Sequence, residues 1–321
     1  MREKNMIWAY LIHLSTNMWG DPGSNVPYSG FEDKLVTDEE TWISVTSFLP
    51  ECGINTLVID LGDAVKYESH PEIAVSGAWS KEKLKKELDR LRSLGIKPIP
   101  KLNFSTGHDA WMGIYKRMVS TQPYYDFCSD LIKEVTELFN GPELFHLGLD
   151  EETYENQRNY QIAVIRNGDL WWHDANFLFN QAESCGARPW IWADSYWVHP
   201  EDYISRMSKD VLQSNWFYWQ MTENDDGTLS TGIGGPARNG IQAYIDLDRA
   251  GFEQVPTSST WNFEYNSEQT MYLGKTRLTE NLVKGYMTAP WTRTVPERQF
   301  ALMNDSQVFW YARKKIYPYS I

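Results

Sequence analysis

The sequence predicts an α/β fold of the (β/α)8 kind, one TIM barrel spanning residues 1–321 with long βα loops at its catalytic face. Three observations lead there. Eight short apolar, β-rich runs alternate with segments whose apolar residues recur at helical spacing. The connections that follow the apolar runs are long, whereas those that precede them are tight, as at Gly95-Ile96 and Gly186-Ala187. No Gly-rich phosphate fingerprint follows a run, so an open dinucleotide-binding sheet has no support; Gly232-Ile233-Gly234-Gly235 precedes Pro236 and reads as a loop.

The strand runs cover residues 6–14, 55–61, 97–104, 144–150, 188–194, 211–218, 254–261 and 284–291. Helical spacing fills the intervals at 38–52, 123–139, 169–185, 238–250, 267–282 and 296–315, with a shorter stretch at 198–209. The clearest helix begins at Ser80, runs through Leu84, Leu88 and Leu91, and stops at Gly95. Residues 17–36, 62–79, 105–121, 152–168 and 222–237 form the long loops, which in a barrel gather on the catalytic face.

A formal charge of −13 argues against nucleic acid or an anionic membrane as partner. The 15 Trp, 18 Tyr and 13 Phe supply aromatic faces on which sugar rings stack, and they fill ordinary cores equally well. Cys52, Cys128 and Cys185 form neither a metal pattern nor a disulfide framework, and no metal or cofactor is expected. No run approaches the roughly 20 apolar residues that span a bilayer. Residues 6–14 include Trp8, Tyr10 and His13 and read as a strand rather than a signal peptide, which leaves the compartment open.

The chemistry concentrates in Phe145-His146-Leu147-Gly148-Leu149-Asp150-Glu151-Glu152, an apolar strand running into adjacent acids. Strand alternation puts His146, Gly148 and Asp150 on one face, and acids at the C-terminal end of a barrel strand face the active site. The same Asp-Glu pair also suits a helix N-terminus. Paired carboxyls supply a proton donor and an anionic support, the two needs of glycosidic cleavage.

His146-Leu147-Gly148-Leu149-Asp150-Glu151 resembles the His-x-Gly-Gly-Asp-Glu motif of family 20 glycoside hydrolases, the β-N-acetylhexosaminidases. Ile99-Pro100-Lys101-Leu102-Asn103-Phe104-Ser105-Thr106-Gly107-His108 resembles that family's strand-3 segment, Pro-Glu-x-Asp-x-Pro-Gly-His. The resemblance implies hydrolysis of an N-acetylated hexosaminide, with an oligosaccharide or glycoside as partner. It implies Glu151 as general acid and then base, Asp150 orienting the substrate acetamido group, and His108 in a relay behind Glu151. Tyr218 or Tyr196 would steady the acetamido group, and Trp192, Trp216, Trp261 and Trp291 would wall the sugar pocket; each Trp also suits the core. Asn103, His146 and Asp194 are supporting residues at the strand ends. Leu149, Lys101 and Asn103 replace the family's second glycine, strand-3 acid and aspartate.

Two further readings use other residues. Glu264, beyond the seventh run, would be the nucleophile of a retaining glycosidase opposite Glu151, and a separation of about 5–5.5 Å between the carboxyls would mark that mechanism. A metal-dependent hydrolase would draw on His13, Asp60, His146 and Asp194. A non-catalytic sugar-binding barrel would use the same aromatics.

Overall fold

A computed structural model describes residues 6–22, 30–158 and 160–318. Eight parallel strands alternate with eight major helices in the predicted order. The strands are β1 (Ile7–His13), β2 (Thr56–Asp60), β3 (Lys97–Lys101), β4 (Leu144–His146), β5 (Arg188–Trp192), β6 (Leu212–Ser214), β7 (Thr257–Ser258) and β8 (Gly285–Thr288). The helices are α1 (Glu39–Phe48), α2 (Lys81–Ser93), α3 (Gln122–Leu138), α4 (Asp169–Ser184), α5 (Pro200–Arg206), α6 (Gly240–Arg249), α7 (Asn266–Arg277) and α8 (Gln299–Ile316).

The strand order is β6-β5-β4-β3-β2-β1-β8-β7. Parallel bridges Gln213–Gln254 and Trp216–Thr257 join its two ends, so the sheet curls into a (β/α)8 barrel without an open edge. Helix boundaries follow local chemistry. Asp38 and Ser80 accept hydrogen bonds from Thr41 N (2.8 Å) and Lys83 N (3.2 Å), capping α1 and α2. Leu84, Leu88 and Leu91 form the buried stripe of α2. Gly95, at φ +78°, and Gly186, at φ +84°, take the left-handed turn that brings each helix tightly back to the next strand.

Several strands are shorter than expected: β4 ends at His146, and β6 and β7 are reduced to three and two residues. The expected loop 222–237 carries a small hairpin, Thr222–Glu223 with Leu229–Ser230. Among the described residues, no helix is long and apolar enough to cross a membrane.

The barrel interior is not wholly apolar. Register aligns His13 with Asp60, Asp60 with Lys101, and Lys101 with His146, so four polar side chains share one level across β1–β4. Beneath them Leu11, Val58 and Ile99 are aligned and fully buried. The polar level separates the hydrophobic floor from the acids above.

Candidate active site

The strand-4 segment departs from alternation where the acids begin. After His146 the backbone turns left-handed at Gly148 (φ +74°), Leu149 (φ +71°) and Glu151 (φ +58°). Such values are uncommon for residues bearing a Cβ and are held only by surrounding structure. Asn103 supplies much of that hold. Its Oδ1 accepts from Leu149 N (3.3 Å) and Ser105 N (3.1 Å), and its Nδ2 donates to Asp150 Oδ1 (2.8 Å). A Cβ on Gly148 would fall 1.9 Å from Asn103 Oδ1, so the glycine is required by close approach as well as by φ. The expected shared face of His146, Gly148 and Asp150 therefore gives way to a turn wrapped around Asn103. Ser105 donates to the Asp150 carbonyl, fixing the same turn from β3.

Asp150 and Glu151 meet at His108. Its Nε2 lies 3.2 Å from Asp150 Oδ2 and 3.2 Å from Glu151 Oε2. The Asp150 side chain is 9% exposed, whereas that of Glu151 is 30% exposed. Burial alone would lower the His108 pKa, but the Asp150 charge and the contacts to both carboxylates overcome it and raise it to about 10. Burial would likewise raise Asp150; His108, Lys101 and Asn103 outweigh it and hold Asp150 low, at about 2. One ligand atom from each of these three residues lies within 4.8 Å of the others, a spacing that also suits a cation. The raised His108 pKa favours the imidazolium, which brings positive charge to the same point.

Asp194, just past β5, accepts from Glu151 N (2.8 Å) and from the Trp216 indole (3.3 Å). Burial, followed by the charge of Asp150, raises the Asp194 pKa well above the usual carboxylate value. Two buried carboxyls close together are thus pushed in opposite directions. Glu152, the third acid of the run, is occupied elsewhere: the buried Arg166 guanidinium binds it and Asp174 together.

The expected aromatics divide into groups. Trp192, Trp291, Tyr218 and Trp216 adjoin one another, with ring centroids 5.7 Å apart for Trp192–Trp291, 6.3 Å for Tyr218–Trp291 and 5.0 Å for Trp216–Tyr218. His146 packs 4.5 Å from Trp192. The indole N–H groups of Trp192 and Trp291 and the Tyr218 hydroxyl are buried without a hydrogen-bond partner. The Trp291 indole adjoins the Tyr218 hydroxyl but misses hydrogen-bond geometry. Unpaired polar atoms of this kind are costly in a protein interior unless something completes them.

Other expectations separate from the cluster. The Tyr196 hydroxyl donates to Asp246 on α6 (2.6 Å), so it is directed to the helical shell instead of an acetamido group. Trp261 and Glu264 are exposed in the segment before α7. The four residues considered for a metal centre are not assembled as one: Lys101 Nζ lies 2.5 Å from Asp60 Oδ2, with His13 Nδ1 at 3.3 Å, and an ammonium already neutralises the carboxylate. His146 Nδ1 accepts from Gly148 N (3.1 Å).

Two contributors had escaped sequence reasoning. Trp19 lies 5.4 Å from His13, 6.3 Å from His108 and 6.3 Å from Trp291, linking the polar level to the acids. Its position in the first long βα loop was the only available signal. Ser105 sits inside the strand-3 motif, but nothing local reveals that its hydroxyl crosses to strand 4.

No protein-family model matches the chain, and no curated protein matches it in sequence. Solved structures do match in fold. A pneumococcal StrH structure concerned with N-glycan recognition and hydrolysis superposes with TM-score 0.61 at 16% identity, covering 98% of this chain and 86% of its own. Dispersin B gives TM-score 0.60 at 13% identity, covering 96% and 98%. The exo-β-N-acetylglucosaminidase of Vibrio harveyi, a family 20 glycoside hydrolase solved with N-acetylglucosamine, gives 0.60 at 13% identity, covering 98% of this chain and 57% of that one. The barrel is therefore similar in fold to those of family 20 glycoside hydrolases.

Proposed function

We propose that the chain is a single-domain glycoside hydrolase acting on an N-acetylated hexosaminide. Glu151 is the general acid and then the general base; Asp150 orients the substrate acetamido group. The observation carrying this reading is the division of labour at His108: a buried Asp150, its pKa held low, beside a Glu151 whose side chain is 30% exposed, both 3.2 Å from one imidazole. An ionised carboxylate suits an amide N–H as partner, while a solvent-reaching carboxyl suits proton exchange. The unpaired Trp192, Trp291 and Tyr218 groups add polar partners for a sugar, and the fold likeness to N-acetylglucosaminidases agrees with the substrate class.

In the first step the acetamido carbonyl oxygen bonds to the anomeric carbon. The glycosidic C–O bond breaks, its electron pair stays on the departing oxygen, and that oxygen takes the Glu151 proton. Asp150 accepts the acetamido N–H as positive charge builds on the oxazoline-like ring. A water then gives a proton to Glu151 and bonds to the anomeric carbon, and the ring's C–O bond opens to restore the acetamido group.

The test is turnover of aryl N-acetylglucosaminides, N-acetylgalactosaminides and plain hexosides. Glu151→Gln should lower kcat by about 10²–10⁴-fold with the fold intact. Asp150→Asn should lower turnover of N-acetylated substrates far more than of hexosides. Near-normal rates for Glu151→Gln would reject the acid assignment, and equal losses for Asp150→Asn would reject acetamido participation.

A further inference from the structure

Strand β4 lies between β3 and β5, and a residue just beyond each neighbour holds one of the two acids. On the β3 side Asn103 donates to the Asp150 carboxylate and accepts from Leu149 N. On the β5 side Asp194 takes the Glu151 N–H at 2.8 Å. Asp150 and Glu151 are thus fixed by different residues, from opposite sides of the turn.

Three features set Asp194 apart from a carboxyl placed for stability. It is 7% exposed, and the charges of Asp150 and Glu151 both act against its ionisation. A buried carboxyl beside two other acids works against folding. Its two oxygens also meet donors from two directions: Oδ2 takes the Glu151 N–H, and Oδ1 takes the Trp216 indole at 3.3 Å. An amide has one acceptor oxygen and would turn its NH2 group against one of those N–H groups. Finally, Glu151 holds φ +58°, which a residue with a Cβ adopts when its surroundings fix it. Thr153 N donates to the Glu151 carbonyl at 2.8 Å while Asp194 accepts from its N–H, so the peptide groups on both sides are held. A backbone fixed in this way directs the carboxyl to His108, 3.2 Å off. Trp216 is itself immobilised, stacked 5.0 Å from Tyr218 and packed 4.4 Å from Trp197.

We propose that Asp194 is the positioning residue of the acid: through the Glu151 N–H it sets where the Glu151 carboxyl stands when the departing oxygen is protonated. The proposal rests on the hydrolase reading above. Asp194 acts through Glu151 and exchanges no proton in the reaction.

The test varies the leaving group at a fixed N-acetylhexosaminyl donor. A 2,4-dinitrophenolate departs with little protonation, whereas a phenolate depends on it, and kcat/KM reports the step in which that bond breaks. A displaced acid is felt on the phenyl glycoside, while loosened folding or weaker sugar binding lowers both substrates alike. Asp194→Ala should lower the ratio of phenyl to dinitrophenyl kcat/KM about 10²-fold, the loss expected for a reacting group misplaced by about 1 Å. Asp194→Asn keeps the side-chain size but leaves one oxygen for two donors, and should lower the ratio about tenfold, the worth of one hydrogen bond. Glu151→Gln should show the same pattern more strongly. Ratios unchanged in both Asp194 variants, at unfolding temperatures matched to the parent, would overturn the positioning role while leaving the hydrolase standing. Should Asp194→Ala not fold, the Asp194→Asn ratio decides alone. A parent protein that turns over neither glycoside would overturn the hydrolase reading and this role with it.

Discussion

The polar level inside the barrel and the acid cluster above it use similar parts. His13, Asp60 and Lys101 combine an imidazole, a carboxylate and a cation; Asp150, Glu151 and His108 combine two carboxylates with an imidazole whose pKa they raise. Within the lower group the ion pair is closed, Lys101 fully buried and Asp60 nearly so with 2.5 Å between them, while both ring nitrogens of His13 are buried without a hydrogen-bond partner. The upper group is left incomplete. Its Glu151 side chain reaches solvent, which no member of the lower group does. A buried ion pair with its charges matched is a structural device, whereas a cluster with an exposed carboxyl retains capacity for proton transfer. Lys101, the departure from the family motif, belongs to the first kind.

Breaking the lower pair should have the largest effect on stability. Lys101→Met strands the Asp60 carboxylate in the interior and should cost about 3–5 kcal/mol in denaturant unfolding. Adding Asp60→Asn to that variant should recover much of the loss; if the double variant is no more stable than the single, the closed-pair account fails.

The upper cluster should respond in the opposite proportion. His108→Gln should lower turnover of an N-acetylated substrate by at least about 10²-fold while costing only about 1–3 kcal/mol of stability. A stability loss matching that of Lys101→Met, with turnover spared, would erase the distinction between the two groups.

Gly148→Ala tests the wrap around Asn103. The left-handed backbone alone should cost about 1–2 kcal/mol, and displacement of Asn103 should release Asp150 and reduce turnover. A crystal structure of the variant with the Asn103–Asp150 hydrogen bond preserved would show that the glycine is not required by packing.

The same cluster should also show a pH dependence. His108 is raised from 6.5 to about 10, so its stabilisation is complete below pH 6.5 and is lost as pH rises through 10. Asp150 is lowered from 3.8 to about 2, so its share is complete above pH 3.8 and is lost as pH falls through 2. The stability gap between the parent and His108→Gln should therefore shrink steadily from pH 7 to pH 10. A gap independent of pH over that range would mean that His108 is neutral in the folded protein.

Much of this architecture is written locally. The eight apolar runs and their helical partners set the barrel because each needs only near neighbours to display its period. The C-terminal placement of Asp150 and Glu151 follows from the same reading. What alternation could not convey is the turn beginning after His146, because its left-handed residues depend on Asn103, 45 positions before Gly148. The Tyr196 hydroxyl was equally illegible, since its partner Asp246 lies on a helix 50 residues away. A side chain's period says which way it leaves the backbone, and its partner is chosen by what the fold brings alongside.

The sequence by itself determined the number and order of strands, the face that carries the acids and the position of the acids on it, because periodicity and loop length are properties of consecutive residues. Tertiary structure alone decided that Lys101 is spent on Asp60 and that one imidazole serves both Asp150 and Glu151. Those outcomes depend on distances between separate strands and loops, and charge, burial and protonation are set at such distances.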